Sequence, residues 1–229
     1  MSDPRRRTGA WRRARLARSR LYVVTGARQE RGDLAGFLDE VLAAGVDIIQ
    51  LRETEAEAGE LVHWSTVFRV AADRHDALFI MNDRADVAVA AGADGVHLGQ
   101  GDLPAAWARR IVGDDALIGL STHSEVEFTA APAEVDYRCV GPVYETPTKP
   151  GRPATGTGLV RRAAEHTRTR GDRRPWFAIG GIDTRTVGVV AAAGARRIVV
   201  VRAVTEAPRA GEAVRTLLNS LDHGWPAPE

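Results

Sequence analysis

The sequence has little of several informative residue types, and each scarcity excludes a class of protein. Among its 229 residues Cys139 is the only cysteine, which excludes an internal disulfide and a cysteine-based zinc site. No apolar run reaches the ~18 residues that a membrane helix needs. The net charge of +1 gives no overall basic field of the kind that attracts nucleic acid. This composition is typical of a cytoplasmic enzyme without a membrane or nucleic-acid partner.

Lysine is also nearly absent, since Lys149 is the only one in a chain whose other basic side chains are arginines and histidines. It lies in the segment Gly141–Gly151, where the apolar run Cys139-Val140 gives way to threonines and prolines. This pattern is typical of a strand that ends in a binding loop. Hydroxyls, backbone N–H groups and one ammonium suit a phosphate or diphosphate. The alternative is a surface loop with a solvated lysine.

The first twenty residues differ from the remainder because eight of them are arginines. Like charges at this density repel, so we predict a disordered extension over residues 1–20. A helix packed on the outside of the fold and a nucleic-acid-binding arm are the alternatives. Residues 21–222 are predicted to form one catalytic domain, and residues 223–229 a tail.

From Leu21 onward, short β-branched runs alternate with segments of helical periodicity. Eight strands are predicted: Leu21–Thr25, Val46–Leu51, Leu78–Met81, Gly95–Leu98, Leu117–Leu120, Tyr137–Val143, Trp176–Ile179 and Arg197–Val201. A helical segment follows each of them, which predicts an α/β fold, a single-domain (β/α)8 TIM barrel. An open doubly wound sheet is disfavoured, because Thr25-Gly26-Ala27-Arg28 is not a Gly-rich dinucleotide loop.

The active site of such a barrel lies where the strands end, and polar residues concentrate at these positions in the sequence. Asp83 and Asp102 follow the third and fourth strands, and two carboxylates completed by water and phosphate oxygens are a common magnesium site. Arg52 and Lys149 can neutralise a diphosphate. Gly180-Gly181 is interpreted as opening a helix whose N–H groups bind a second phosphate. A helix cap with a surface ion pair near Asp83, and a simple tight turn at the glycines, remain the structural alternatives.

Several motifs together resemble the thiamine-phosphate synthase family over about Leu21 to Leu221. They are Gln50-Leu51-Arg52, Met81-Asn82-Asp83-Arg84-Ala85-Asp86, Gly95-Val96-His97-Leu98-Gly99-Gln100-Gly101-Asp102-Leu103, Ile118-Gly119-Leu120-Ser121-Thr122-His123, Gly141-Pro142-Val143 with Thr146-Pro147-Thr148-Lys149, and Ala178-Ile179-Gly180-Gly181-Ile182. The resemblance implies coupling of 4-amino-2-methyl-5-hydroxymethylpyrimidine diphosphate with 4-methyl-5-(2-phosphooxyethyl)thiazole to give thiamine phosphate and diphosphate. These small molecules would be the partners, and the sequence leaves a homo-oligomer open.

The resemblance also implies roles for individual residues. The pyrimidine diphosphate would be held by Gln50, Arg52, Asn82, Ser121 and Lys149, and Mg²⁺ by Asp83 and Asp102. The thiazole phosphate would be held by Thr146, Thr148, Gly180, Gly181, Val201 and Arg202. The neighbouring residues Leu51, Glu53, Thr54 and Pro147 are also expected to contact substrate. The catalytic residues would be Arg52, Lys149 and Ser121. The reaction would be a dissociative substitution, which needs no base from the protein.

The chain departs from the family pattern at three positions. Thr54 stands where the family usually has a lysine, which removes one cation near the diphosphate. Arg202 stands where many members have a small hydroxyl residue, and Glu145 adds an acidic side chain beside Thr146.

Three other functions remain as alternatives. A thiazole tautomerase of the same fold would use His97 or His123 to move protons. A non-catalytic thiazole-phosphate sensor would follow from the loss of the lysine at Thr54. A structural protein that binds nucleic acid through its arginine-rich start would leave the strand-end residues unexplained.

Overall fold

The computed structural model describes residues 8–146 and 153–223 of the chain. The described residues form a closed barrel of parallel strands in chain order: β1 (Leu21–Thr25), β2 (Ile48–Leu51), β3 (Leu78–Asn82), β4 (Gly95–Leu98), β5 (Leu117–Thr122), β6 (Tyr137–Val140), β7 (Trp176–Ile179) and β8 (Ile198–Val200). The barrel closes where β1 pairs with β8, with Val23 opposite Val200. The predicted TIM-barrel fold is therefore confirmed.

The helices surround the barrel or cap its two ends. They are α1 (Gly9–Arg18), α2 (Leu34–Ala43), α3 (Ala58–Arg74), α4 (Ala85–Ala90), α5 (Ala105–Val112), α6 (Glu125–Thr129), α7 (Gly156–Arg170), α8 (Val187–Ala192), α9 (Arg202–Thr205) and α10 (Ala210–His223). The one-turn helix α9 is absent from the sequence prediction, and α1 corresponds to the alternative of a packed helix rather than to the predicted disordered extension. None of the helices in the described part of the chain is long and apolar enough to cross a membrane.

Alternate side chains of each strand enter two separate buried clusters, as the pleat of a strand requires. Tyr22 and Val24 of β1 belong to the cluster that fills the barrel interior, together with Phe177 of β7. Leu21 and Val23 belong to the larger cluster between the strands and the surrounding helices. Because the interior is filled with side chains, a ligand can enter only at an end of the barrel.

Helix α1 covers residues 9–18. The high density of arginine predicts a disordered extension there, and this prediction is wrong for these residues. Leu16 is 2% exposed and joins the interior cluster. Arg12 forms an ion pair with Asp94, and Arg15 forms one with Asp47. The aspartates that neutralise these arginines are distant in sequence, so local charge density alone suggested repulsion. Residues 1–7 and nearly all of the predicted tail, from residue 224 onward, lie outside the described residues.

Candidate active site

A cavity of about 330 Å³ opens at the end of the barrel where the strands terminate. Its walls come from many parts of the chain, from Val24 on β1 to Ala203 at the start of α9. The predicted site residues that line it are Gln50, Arg52, Asn82, Ser121, Thr146, Gly180, Gly181, Val201 and Arg202. These nine residues, which come from the ends of different strands, therefore meet in one concave site, as the barrel topology predicts.

Two arginines of the cavity have no acidic partner among the described residues. Arg185 pairs with Asp183, but neither Arg52 nor Arg202 forms an ion pair within the described ranges. The Nε atom of Arg52 is buried and donates no hydrogen bond to a described residue. A buried guanidinium N–H without an acceptor is costly unless a ligand supplies one. The cavity therefore presents two positive charges and an unsatisfied buried N–H donor.

Three predicted contact residues at the end of β2 and in the loop after it do not line the cavity. Leu51 is fully buried in the cluster between strands and helices, because it alternates with the inward-facing Gln50. The Glu53 carboxylate accepts a hydrogen bond from the Ala27 backbone N–H at 2.7 Å and so supports the neighbouring β1 loop. Thr54 is exposed, and its hydroxyl faces Glu55 at 3.4 Å.

The predicted metal ligands Asp83 and Asp102 lie beside the cavity rather than in its lining. Asp83 has a φ of 59°, a left-handed conformation that is uncommon outside glycine, and its N–H donates to the His97 carbonyl at 2.8 Å. This bond joins the ends of β3 and β4. Asp102 accepts a hydrogen bond from the Gly99 N–H through one carboxylate oxygen. Its other oxygen accepts none from a described residue.

The predicted residues Pro147, Thr148 and Lys149 lie outside the described ranges. The described residues on both sides of this segment are held near the cavity. Before it, the Val143 N–H donates to the Ile179 carbonyl at 2.8 Å, which extends the pairing of β6 with β7. After it, the Thr155 N–H donates to the Pro142 carbonyl at 2.8 Å.

Gly180 and Gly181 form a tight loop in the cavity wall, with φ values of 103° and 62°. A side chain at Gly180 would overlap Pro142, so the close approach of the two loops requires glycine. The expectation that this pair opens a helix is wrong, because α8 begins only at Val187. The helix that does begin at the cavity is α9, directly after β8, with Val201 at its N-cap. Loops after strands seven and eight with a short extra helix form a recurrent phosphate site in such barrels.

Sequence reasoning missed two charged lining residues, Asp183 and Arg185, whereas Gly141 and Pro142 belong to the predicted binding loop. Burial alone would raise the pKa of Asp183, but hydrogen bonds from Arg185 and Thr186 outweigh it and lower that pKa. The Asp183 carboxylate is therefore ionised, and its hydrogen bonds are made to residues of its own loop. The motif Ile179-Gly180-Gly181-Ile182 directly precedes Asp183 and could have indicated this loop.

Both histidines of the cavity wall are held by hydrogen bonds. His123 Nδ1 donates to the Gly141 carbonyl at 2.6 Å, since a carbonyl oxygen can only accept. His97 lies deeper, with Nε2 3.0 Å from Ser121 Oγ and Nδ1 3.2 Å from the Tyr137 hydroxyl. Tyr137 and its neighbour Tyr22, which the sequence did not single out, thus connect to the floor of the site.

Comparisons with known proteins point to one family. The family model described as thiamine monophosphate synthase matches residues 21–204. A relative from Saccharopolyspora erythraea, named thiamine-phosphate synthase, is 56% identical over 216 residues, which cover 90% of this chain and 96% of the relative. A relative from Mycobacterium leprae with the same name is 52% identical over 235 residues, covering 96% of this chain and 98% of the relative.

Solved structures agree with the fold. The thiamine phosphate pyrophosphorylase from Pyrococcus furiosus superposes with a TM-score of 0.80 at 29% identity, covering 93% of this chain and all of that structure. A 3-hexulose-6-phosphate synthase superposes with a TM-score of 0.63 at 20% identity, which indicates a shared fold alone.

Proposed function

Because this chain belongs to the thiamine monophosphate synthase family, we propose that it couples a pyrimidine diphosphate with a thiazole phosphate in the cavity at the end of its barrel. The chain is a thiamine-phosphate synthase, a transferase of thiamine biosynthesis. The observation that carries the assignment of substrates to this cavity is its pair of arginines, Arg52 and Arg202, which form no ion pair with a described residue. Arg52 directly follows β2 and Arg202 opens α9 just after β8, so the two guanidinium groups enter the cavity from different strands and could bind two separate anionic groups.

The diphosphate would bind on the side of β2 and β3. The Nε–H of Arg52, which has no acceptor among the described residues, would donate a hydrogen bond to the diphosphate. The side-chain amide of Asn82, which makes no hydrogen bond to another described residue, would add a second contact. Lys149, three positions after the cavity-lining Thr146, would add a second positive charge. Charged donors of this kind are most effective where negative charge grows during the reaction, here on the leaving diphosphate.

Magnesium would bind beside this diphosphate, and the donor set agrees with it. Asp83 and Asp102 offer carboxylate oxygens at neighbouring strand ends, and oxygen is the ligand type that Mg²⁺ prefers. The described ranges contain no group of three or more acidic, histidine or cysteine side chains that could hold a metal. The protein alone would therefore hold the ion weakly, and diphosphate oxygens would complete its coordination. When bound, the ion would neutralise charge on the leaving group.

The thiazole phosphate would bind on the side of β7 and β8. The loop at Gly180 and Gly181 lets a phosphate approach the backbone closely, and the side chain of Arg202 would add a positive charge. Thr146 lines the same wall, and Thr148 would extend it. This arrangement would place the thiazole ring between its phosphate site and the pyrimidine.

The chemical step would be a substitution at the pyrimidine methylene carbon. The bond from this carbon to the diphosphate oxygen breaks, and its electron pair leaves with the diphosphate. The amino group of the pyrimidine donates electron density to the cation-like carbon, and the thiazole nitrogen then forms the new carbon–nitrogen bond. No proton needs to be removed by the protein, so the contribution of Arg52 and Lys149 is orientation and charge stabilisation.

The proposal is tested by supplying both substrates and Mg²⁺ to the purified chain and measuring the products. We expect diphosphate and thiamine phosphate to form in equal amounts, and neither to form when one substrate is omitted. Binding of the thiazole phosphate without coupling would instead support a sensor. Isomerisation of a thiazole carboxylate phosphate would support a tautomerase that uses His97 or His123.

A further inference from the structure

Five polar side chains beneath the cavity are linked by a continuous series of hydrogen bonds, which starts on β2 and ends on β5. Gln50 Nε2 donates to the Tyr22 hydroxyl, which lies 3.2 Å from the Tyr137 hydroxyl. Tyr137 is 3.2 Å from His97 Nδ1, and His97 Nε2 is 3.0 Å from Ser121 Oγ. All five residues are at most 6% exposed, and the two ends of the chain, Gln50 and Ser121, line the cavity. The tyrosines lie below them, outside the cavity lining.

The strands are arranged to permit this chain. His97 pairs with Gly119 on β5, and Gly119 pairs with Tyr137 on β6, so the three positions lie side by side. A side chain at position 119 would overlap both the Tyr137 phenol and His97 Nδ1. The glycine therefore leaves the space through which Tyr137 reaches across one strand to His97. Such a path between two non-adjacent strands exists only because the middle strand lacks a side chain there.

Hydrogen-bond directions along this chain depend on one another, because each phenol has a single proton. Burial raises the pKa of Tyr22 and of Tyr137 well above the usual value, so both phenols keep their protons. With Gln50 Nε2 as the donor to Tyr22, the Tyr137 oxygen is the acceptor left for the Tyr22 proton among these side chains. Tyr137 in turn donates to His97 Nδ1, which places the imidazole proton on Nε2. His97 then donates to Ser121 Oγ.

The two ends of the chain consequently present different groups to the cavity. Gln50 uses Nε2 for Tyr22, and its Oε1 accepts no hydrogen bond from a described residue. Ser121 Oγ accepts from His97, and its own proton has no acceptor in the described ranges. The floor therefore offers a hydrogen-bond acceptor at β2 and a donor at β5. An aminopyrimidine carries the complementary pair, an exocyclic amino donor and a ring-nitrogen acceptor.

We propose that Tyr22 and Tyr137 are positioning residues, which fix the Gln50 amide and the Ser121 hydroxyl so that the cavity recognises the aminopyrimidine ring in one orientation. This inference rests on the proposed function for the identity of the ring. The direction of the hydrogen bonds does not depend on that function. The two parts can therefore be tested separately.

The first test is the protonation of His97 in the free wild-type protein, measured by long-range proton–nitrogen NMR of ¹⁵N-labelled imidazoles at an alkaline pH, where histidine is neutral. The chain has six histidines, so the His97 signal is identified by its loss in His97→Gln. We expect the proton on Nε2 alone. A proton on Nδ1, alone or together with one on Nε2, overturns the assigned direction, whether or not the protein is active.

The second test uses Tyr22→Phe and Tyr137→Phe, which keep the rings but remove the hydroxyls. We expect the KM for the pyrimidine diphosphate to rise roughly tenfold, the effect of about one lost hydrogen bond, and the KM for the thiazole phosphate to stay within about twofold. We also expect His97 to show both neutral forms in Tyr137→Phe.

The matched control is Phe177→Leu. The Phe177 ring packs edge-on against both tyrosine rings, with ring centroids 5.7 Å apart for Tyr22 and 5.8 Å for Tyr137, but its side chain takes no part in the hydrogen-bonded series. It disturbs the same aromatic packing and should leave the ratio of the two KM values unchanged. If the tyrosine variants raise both KM values equally, or behave like Phe177→Leu, their role is packing and the proposal is wrong. A wild-type protein that shows the expected imidazole but no coupling would refute the proposed function instead.

Discussion

Arg12 of helix α1 forms an ion pair with Asp94 at the entrance to β4, with Arg12 Nε 3.1 Å from Asp94 Oδ1. The Asp94 side chain is only 1% exposed, and its other oxygen accepts from Arg69 at 2.7 Å and from the Phe79 N–H at 3.0 Å. A buried carboxylate with this many donors is well compensated for its lost hydration. The N-terminal helix is therefore joined to the strands at the end of the barrel opposite the active site.

Leu16→Ala should destabilise the protein without altering the active site. Leu16 is 2% exposed and closes the interior cluster from the α1 side, so truncation should lower the free energy of unfolding by about 2–5 kcal/mol. Urea unfolding followed by circular dichroism measures this change. Arg18→Ala, on the exposed side of the same helix, is the control and should change stability by less than about 0.5 kcal/mol. Equal stability of the two variants would show that α1 does not support the barrel.

The sequence could predict the barrel because each of the eight strands, from Leu21–Thr25 through Ile198–Val200, has a local signature, and a segment of helical periodicity follows most of them. It leaves a packed helix at the start of the chain only as an alternative to disorder, because the carboxylates that pair with Arg12 and Arg15 are supplied by distant turns. The same limit applies inside the site. Gln50 and Ser121 follow from their strand-end positions, but the Tyr22–Tyr137 connection requires knowing which side chains cross the barrel. Helix α9 is too short to produce a periodic pattern.

Gly180→Ala should weaken binding of the thiazole phosphate. Its φ of 103° is strained for alanine, and the new methyl group would overlap Pro142, so the loop would move away from the phosphate. We expect the Kd for the thiazole phosphate to rise at least about tenfold, measured by calorimetric titration. Gly188→Ala on α8 is the matched control, because no atom lies within 4 Å of the added methyl and no positive φ is involved. Unchanged affinity in Gly180→Ala would remove this loop from the phosphate site.

Magnesium binding should depend on diphosphate. With two carboxylates as protein ligands, Mg²⁺ titration of the protein alone should show little heat, and titration with inorganic diphosphate present should show clear binding. Asp83→Asn and Asp102→Asn should each weaken this second event at least about tenfold. Asp86→Asn is the control, since Asp86 is next to the same strand end but pairs with Arg84 on the surface. Tight binding without diphosphate would point to a metal site of different composition.

Acid should weaken the ion-pair cluster of Asp172 on the outside of the barrel. Burial alone would raise the pKa of Asp172, but hydrogen bonds from Arg174 and the charge of Arg138 lower it from its ordinary 3.8 to about 2. A carboxylate with a lowered pKa stabilises the fold above its unfolded pKa, and this stabilisation is lost as the pH falls from about 4 to about 2. Asp172→Asn should therefore lower the free energy of unfolding by roughly 1–2 kcal/mol at pH 7, and the difference should vanish near pH 2.

The control for this pH dependence is Asp222→Asn, because its ion pair with Arg20 is largely exposed and should contribute little at any pH. Urea unfolding of wild type, Asp172→Asn and Asp222→Asn at several pH values measures how much stability each substitution removes at each pH. A constant difference between Asp172→Asn and wild type across this range would contradict the assigned pKa.

The most direct test of the active-site assignment concerns Lys149, the only lysine of the chain. The rate of thiamine phosphate formation is measured for wild type, Lys149→Ala and Arg161→Ala, where Arg161 is an exposed cation on α7 without an ion pair to a described residue. We expect Lys149→Ala to lower kcat/KM about a hundredfold or more, and Arg161→Ala to stay within about twofold of wild type. Wild-type turnover by Lys149→Ala would contradict the account.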